Sequence, residues 1–284
     1  MGALQDFVVR LGGYSELDDG GGAVATDTAE FCYASYLPPN QNGWKSLPLI
    51  PGGPRTTLNA VILPDATVLV VGGENYALNG VDRVPVLATA LFQPSSYGPG
   101  PGWHSPLDSP EQRRYHSTAV LLPDGRVFVG GGNDRVQNSF HVDWDYNIYS
   151  PHYLQGDPGQ GIPPPLRPTV LTILGPNVTV VDGAFVLPPN PPLPAPPNTF
   201  TLVCADILGP NYLDKIVLMA PGSITHHSDM SARYVELPSQ AVTGSTVKRT
   251  FQTPNSSMLP RGFYMMFALN SIGTPSVAAW VKIT

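Results

Sequence analysis

Apolar residues along this chain fall in short runs separated by glycine, proline and aspartate, and in the first half those runs recur. Residues 60–63 and 119–122 each read as a strand. Pro64-Asp65 and Pro123-Asp124 supply the turn that follows, because Pro-Asp and a small residue favour a tight reversal. A second strand is predicted over 68–71 and 127–129, and each ends in a glycine pair, Gly72-Gly73 or Gly131-Gly132. With the earlier pair Gly12-Gly13, these glycines stand at almost equal intervals along the chain. Leu-Pro-Asp (Leu63, Leu122) and tryptophan (Trp44, Trp103) repeat the same step. Each unit reads as a tryptophan turn, a strand, a Pro-Asp turn, a second strand and Gly-Gly, with apolar segments over 87–92 and 144–149 completing it.

Several short antiparallel strands per unit, repeated, predict a β-propeller more readily than a solenoid, whose units are shorter and whose strands run parallel. About three units are visible before residue 160. A propeller closes with four to eight blades, and three would leave sheet edges open. The chain is therefore expected to be the end of a longer protein, or to need further blades or a partner chain for closure. From Arg167 onward the period disappears. Strands are predicted over 168–174, 178–181, 200–203, 215–219, 263–269 and 276–283, with a proline-rich excursion at 188–197. Many short strands without the repeat indicate an immunoglobulin-like sandwich. The predicted class is all-β: a partial kelch-type propeller over 1–160, then an immunoglobulin-fold domain over 161–284.

Composition narrows the function. Charged residues make up only 13% of the chain, beside 29 glycines and 33 prolines, as expected of strands and turns. A net charge of −6 argues against a nucleic-acid partner. No apolar run reaches the roughly 18 residues of a membrane helix. Cys32 and Cys204 are too few for a disulfide framework, and their pairing is not legible. Asn177-Val178-Thr179 and Asn255-Ser256-Ser257 are glycosylation sequons, although residues 1–10 encode no secretory signal. The glycine pairs punctuate strands and match no nucleotide-binding pattern, and no nucleophile elbow is present.

The chemistry concentrates at Tyr115-His116, which with a second histidine far downstream makes half of a plausible copper site. Arg114-Tyr115-His116-Ser117 with Leu121-Leu122-Pro123-Asp124-Gly125-Arg126-Val127-Phe128 resembles the last blade of the galactose oxidase and glyoxal oxidase family of copper-radical oxidases. Tyr149-Ser150-Pro151-His152-Tyr153-Leu154 resembles that blade's exit. Gly222-Ser223-Ile224-Thr225-His226, with Arg233 and Leu237, resembles the histidine loop of the family's C-terminal domain. Leu259-Pro260-Arg261-Gly262-Phe263-Tyr264-Met265-Met266-Phe267 and Asn270-Ser271-Ile272-Gly273-Thr274-Pro275-Ser276 resemble its closing hairpin. The motifs also follow the family's order.

The resemblance implies an extracellular enzyme that oxidises a small aldehyde, primary alcohol or sugar with O₂ and releases H₂O₂. It implies copper as cofactor, with His116 and His226 as imidazole ligands. Tyr115 becomes the axial phenol and the catalytic base. His227 is expected to point away from His226 on an extended strand, and His104, His141 and His152 to be surface or packing residues. The family's crosslinked tyrosine–cysteine pair has no match. Cys32 and Tyr14 lie outside its motifs, Thr56-Thr57-Leu58-Asn59 stands where relatives carry an aromatic and a histidine, and Ser231-Ala232-Arg233 departs from the usual polar pair. Without that radical pair the chain alone is expected to be inactive and to hold copper weakly or not at all. The alternatives are a non-catalytic extracellular carbohydrate-binding module and a structural partner that completes its propeller with another chain.

Overall fold

The computed structural model describes residues 7–16, 23–33, 44–76, 83–94, 102–104, 109, 111–136, 139–156, 158–191, 196–205, 211–254 and 258–284. Among these there is no α-helix, and strands dominate. The sequon at 255–257 and part of the proline-rich excursion lie outside the described residues, whereas Asn177 is exposed in a turn.

Three antiparallel sheets fill the first half. The first orders Phe7–Leu11, Ala29–Tyr33 and Lys45–Leu47; the second orders Asn59–Ile62, Val68–Val71, Ala90–Gln93 and Gly102–His104; the third orders Thr118–Leu121, Val127–Gly130 and Tyr146–Tyr149. The Pro-Asp turns form as expected. Asp65 Oδ1 accepts from the backbone N–H of Thr67 at 3.1 Å, and Asp124 Oδ1 accepts from that of Arg126 at 3.0 Å.

One feature of the repeat is corrected. Trp103 does not open the third unit: it lies in the outer strand of the second sheet, paired with Phe92. Its ring packs on Phe92 at 5.2 Å, and its Nε1–H donates to Pro48 O at 2.7 Å. Trp44 likewise precedes the outer strand of the first sheet. A large amphipathic ring is better placed on a sheet edge, with its N–H reaching a carbonyl, than in a turn. A hairpin that polar sequence concealed follows each glycine pair: Tyr14–Glu16 with Ala23–Ala25, Glu74–Tyr76 with Arg83–Pro85, and Asn133–Val136 with Ser139–Val142.

The glycine pairs form the joints between units. The Gly13 N–H donates to Arg55 O at 3.0 Å, and the Gly73 N–H donates to Arg113 O at 2.7 Å. At Gly72 the approach is so close that an added Cβ would sit 2.5 Å from Arg113 O, and φ is +70°. Only glycine meets both conditions. Arg55 and Arg113 themselves are fully buried. Arg55 donates to Ala88 O (2.7 Å) and Pro51 O (2.6 Å), and burial lowers its pKa to about 10. Arg113 instead reaches Asp145 Oδ1 and Asn147 Oδ1, both at 2.7 Å.

The second half is a sandwich. One sheet orders Thr169–Leu174, Thr199–Ala205, Lys248–Gln252 and Ser239–Ala241. The other orders Thr179–Val181, Ala184–Leu187, Ala279–Ile283, Gly262–Asn270, Leu213–Met219 and Tyr234–Glu236. Strands unmarked by the sequence reading include Ala184–Leu187, which pairs in parallel with Ala279–Ile283. Phe200, Leu202 and Phe251 meet Ile216, Leu218 and Met266 in the core between the sheets.

Alternation along two strands joins the halves. Ile216, Leu218 and Met266 face the sandwich core, while Val217, Met219, Met265, Phe267 and Leu269 face the propeller sheets and pack with Leu69, Ala119 and Val127. Successive side chains point to opposite faces, so a strand buried on both sides reads as a continuous apolar run. Each large side chain so buried contributes about 1.5–3 kcal/mol. Polar contacts reinforce the seam: the Ala278 N–H donates to Pro123 O at 2.8 Å, and Arg167 donates to Pro275 O and Ser276 O at 2.8 and 2.7 Å. Cys32 and Cys204 are both buried, and neither is in a disulfide. Burial pushes the Cys204 thiol up to about 12.

Candidate metal centre

Tyr115 and His116 form the turn that enters the inner strand Thr118–Leu121 of the third sheet. The Ser117 N–H donates to Arg114 O at 3.0 Å and closes the turn. His116 takes a left-handed backbone, φ 64°, which lays its ring on the Tyr115 ring at 3.9 Å between centroids. Asn133 supports both residues. Its N–H donates to Tyr115 O at 2.7 Å, and its side-chain amide lies 3.3 Å from His116 Nδ1.

The facing element is a short hairpin of the sandwich, Ile224–Thr225 with Ser228–Asp229. His226 and His227 are its two turn residues, with φ of 49° and 65°. Left-handed backbone at both positions matches the twist of the flanking strands. Asp229 Oδ1 steadies the base by accepting from the N–H groups of Ser223 and Ser231, each at 2.9 Å.

The hairpin brings distant parts of the sequence into side-chain contact. The His226 ring lies 5.5 Å from the His116 ring, edge-on at 88°, and 6.1 Å from the Tyr115 ring. Thr225 Oγ1 lies 2.8 Å from His226 Nδ1. In both imidazoles the neighbour therefore engages Nδ1, leaving Nε2 as the nitrogen for a ligand.

His227 corrects the sequence reading. It does not point away, because the chain here is a turn and the strand alternation does not apply. Its ring lies 5.7 Å from that of Tyr115, and its Nε2 accepts the His116 N–H at 3.3 Å. Burial, followed by the charges of His116 and His226, lowers its pKa to about 4. Its Nδ1 is buried without a partner. The signal that could have found it was the pair of αL-tolerant histidines between Thr225 and Ser228, a spacing that fits a two-residue turn.

Among the described residues no three His, Cys, Asp or Glu side chains converge in a metal-holding group. The donors gathered here are two imidazoles and a phenol, an N,O set of the kind Cu(II) accepts. Tyr115, His116 and His226 are the residues that would hold copper, which when bound supplies one-electron oxidation.

The remaining candidates lie elsewhere. His104 pairs with Gln93 Oε1 at 3.0 Å, and His152 with Asp65 Oδ2 at 3.0 Å. Both line a separate cavity of about 1150 Å³ between the second sheet, the third sheet and the sandwich. His141 stands in the hairpin strand Ser139–Val142 and Tyr14 in Tyr14–Glu16. Cys32 is fully buried in the first sheet.

Repeated antiparallel sheets, an immunoglobulin-like sandwich packed against them, and an imidazole–phenol cluster at the junction define a propeller-and-sandwich protein with a candidate metal centre. Residues 26–153 match the model for the glyoxal oxidase N-terminus, and residues 194–283 match that for the galactose oxidase-like early set domain. The chain belongs to the galactose oxidase and glyoxal oxidase family of copper-radical oxidases. Over 235 residues it is 28% identical to a galactose oxidase of Gibberella zeae, covering 81% of this chain and 29% of that protein. To the aldehyde oxidase GLOX1 of Arabidopsis thaliana it is 26% identical over 239 residues, covering 81% of this chain and 36% of that one. The chain thus spans about a third of the length of these relatives. A fungal alcohol oxidase of the AA5 family, in complex with copper, superposes with a TM-score of 0.74 at 23% identity, covering 99% of this chain and 52% of that chain. That likeness shows the fold.

Proposed function

We propose that this chain is the copper-holding, C-terminal portion of an extracellular oxidase that converts an aldehyde or primary alcohol and O₂ to the oxidised product and H₂O₂. In this reading residues 1–160 are the last propeller blades and 161–284 the immunoglobulin-fold domain. His116 and His226 hold the metal with Tyr115, whose phenolic oxygen in this reading takes the proton of a substrate hydroxyl. The observation that carries the reading is the meeting of Tyr115 and His116 with His226 across the propeller–sandwich junction.

The second redox equivalent has to come from a tyrosine–cysteine pair outside the cluster. Neither cysteine supplies one there: Cys32 lies in the first sheet and Cys204 in the sandwich core. The chain by itself therefore binds copper without turning over. The test is titration of the purified chain with Cu(II), followed by electron paramagnetic resonance, beside a peroxide-release assay with glyoxal and with galactose. One bound copper, lost in His116→Ala and in His226→Ala, with no peroxide released, is the expected result. Copper binding indifferent to both substitutions would remove the reading.

The 1150 Å³ cavity, with its amide and hydroxyl lining, favours a second reading, that of a non-catalytic carbohydrate-binding module. Saccharide binding that persists without copper and in His226→Ala would support it.

A further inference from the structure

The hairpin carrying His226 belongs to the sandwich, whereas Tyr115 and His116 belong to the third propeller sheet. Two imidazoles on separate units hold a fixed spacing only if something ties the units together at the imidazoles themselves. The sandwich members of the apolar seam lie on Leu213–Met219 and Gly262–Asn270, and the two strands of the hairpin lie against Thr118–Leu121 and Asn59–Ile62. At the tip the tie is the hydrogen bond from the His116 backbone N–H to His227 Nε2. It joins the backbone of one candidate ligand to the side chain next to the other.

We propose that His227 is the positioning residue of this centre: a neutral imidazole protonated on Nδ1, whose bare Nε2 docks the sandwich turn on the His116 backbone and so sets the spacing of His116 and His226. The tautomer follows from the geometry. A nitrogen that accepts an N–H carries no proton, so in a neutral ring the proton resides on the other nitrogen. Because His226 and His227 are consecutive turn residues, both left-handed, anchoring one ring leaves the other little freedom. The bond also satisfies a main-chain donor at a turn, where no strand partner is available to it. His116 does not need His227 to adopt its backbone conformation, since Thr57, the equivalent residue of the preceding unit, has φ 53° in the same setting. The role of His227 is therefore registration between the two units.

The functional consequence rests on the copper reading, but the tautomer does not, and the experiments separate the two. In the copper-free chain, imidazole ¹H–¹⁵N correlation spectra should show His227 protonated at Nδ1 and bare at Nε2. A proton on Nε2 would overturn the proposal whatever copper does. His227→Asn keeps a residue that tolerates the left-handed turn, but its amide is too short to reach the His116 N–H. His227→Gln extends an oxygen toward the place of Nε2. Loss of an outer-shell partner typically costs roughly 10–100-fold in metal affinity, so His227→Asn should weaken Cu(II) by that factor, and His227→Gln should recover most of it. The number of nitrogens coupled to copper in the resonance spectrum should be the same in all three proteins. One nitrogen fewer in both variants would make His227 a ligand and refute the positioning role, as would wild-type affinity in His227→Asn. If the wild-type chain binds no copper, the oxidase reading fails while the tautomer measurement still decides the role of His227.

Discussion

The turn at Thr56-Thr57 and the turn at Tyr115-His116 occupy equivalent places in successive units and share one backbone. Thr57 has φ 53° and His116 has φ 64°. Thr56 O accepts the Glu74 N–H at 3.0 Å, and Tyr115 O accepts the Asn133 N–H at 2.7 Å. Each turn leads into the inner strand of its sheet, and the two are tied side by side, since Asn59 Nδ2 donates to Ser117 Oγ at 2.9 Å. In the third unit the rings of Tyr115 and His116 meet the histidine turn of the sandwich. The left-handed residue is therefore a property of the repeat and is no sign of a site. A cluster of rings forms where that position carries a histidine and another histidine is brought to face it.

The sharpest way to break the comparison is to make the third unit a copy of the second. Tyr115→Thr with His116→Thr should leave the fold intact by circular dichroism. Calorimetric Cu(II) affinity should fall by more than the roughly 10–100-fold of an outer-shell loss. The converse graft, Thr56→Tyr with Thr57→His, should gain no second copper.

A smaller effect separates the two buried arginines. Arg55 gives its hydrogen bonds to backbone carbonyls. Removing it in Arg55→Ala leaves those acceptors unpaired, at a cost of roughly 3 kcal/mol in urea unfolding. Arg113 bonds Asp145, which is half exposed and can be rehydrated, so Arg113→Ala should cost about 1 kcal/mol less. Equal losses would mean that packing, not hydrogen bonding, dominates both.

The glycine joints give a smaller contrast. Gly72→Ala meets Arg113 O at 2.5 Å, whereas a Cβ at Gly131 comes no closer than 3.7 Å to His116 O. The second substitution should cost only the left-handed strain, about 1–2 kcal/mol, and the first distinctly more.

The last effect is a pH dependence. His227 is lowered to about 4 in the fold from an ordinary 6.5. Between these values the unfolded chain binds the extra proton, so this contribution to stability is complete above pH 6.5 and declines as the pH falls toward 4. The His227→Gln variant should lack that component of the stability profile.

Much of this architecture was legible because it repeats. Leu63-Pro64-Asp65 and Leu122-Pro123-Asp124 announce hairpins through local turn chemistry, and the glycine pairs mark joints through backbone geometry available to no other residue. The meeting of Tyr115, His116 and His226 could be drawn only by resemblance, since no local pattern tells one segment which remote segment will face it. The sequence was silent where function rests on long-range complementarity. Arg55 and Arg113 look like surface charges until neighbouring units close over them. Trp103 seems to begin a unit because sequence order hides which sheet takes the strand. His227 was misdirected by strand alternation because a two-residue reversal reassigns both side chains at once.

The joints made by Gly13 on Arg55 and by Gly73 on Arg113 have a direction: a donor in the middle of one unit, past its inner strands, enters a receptor at the head of the next. Such a head-to-tail contact has the logic of a polymer, in which every added monomer presents the same free end as the last. Only the rotation accumulated per step decides whether the series meets itself as a ring or runs on. A whole unit can therefore be gained or lost by recombination within the gene with the same main-chain joint re-formed at each step, and blade number becomes a quantity that evolution can count up or down.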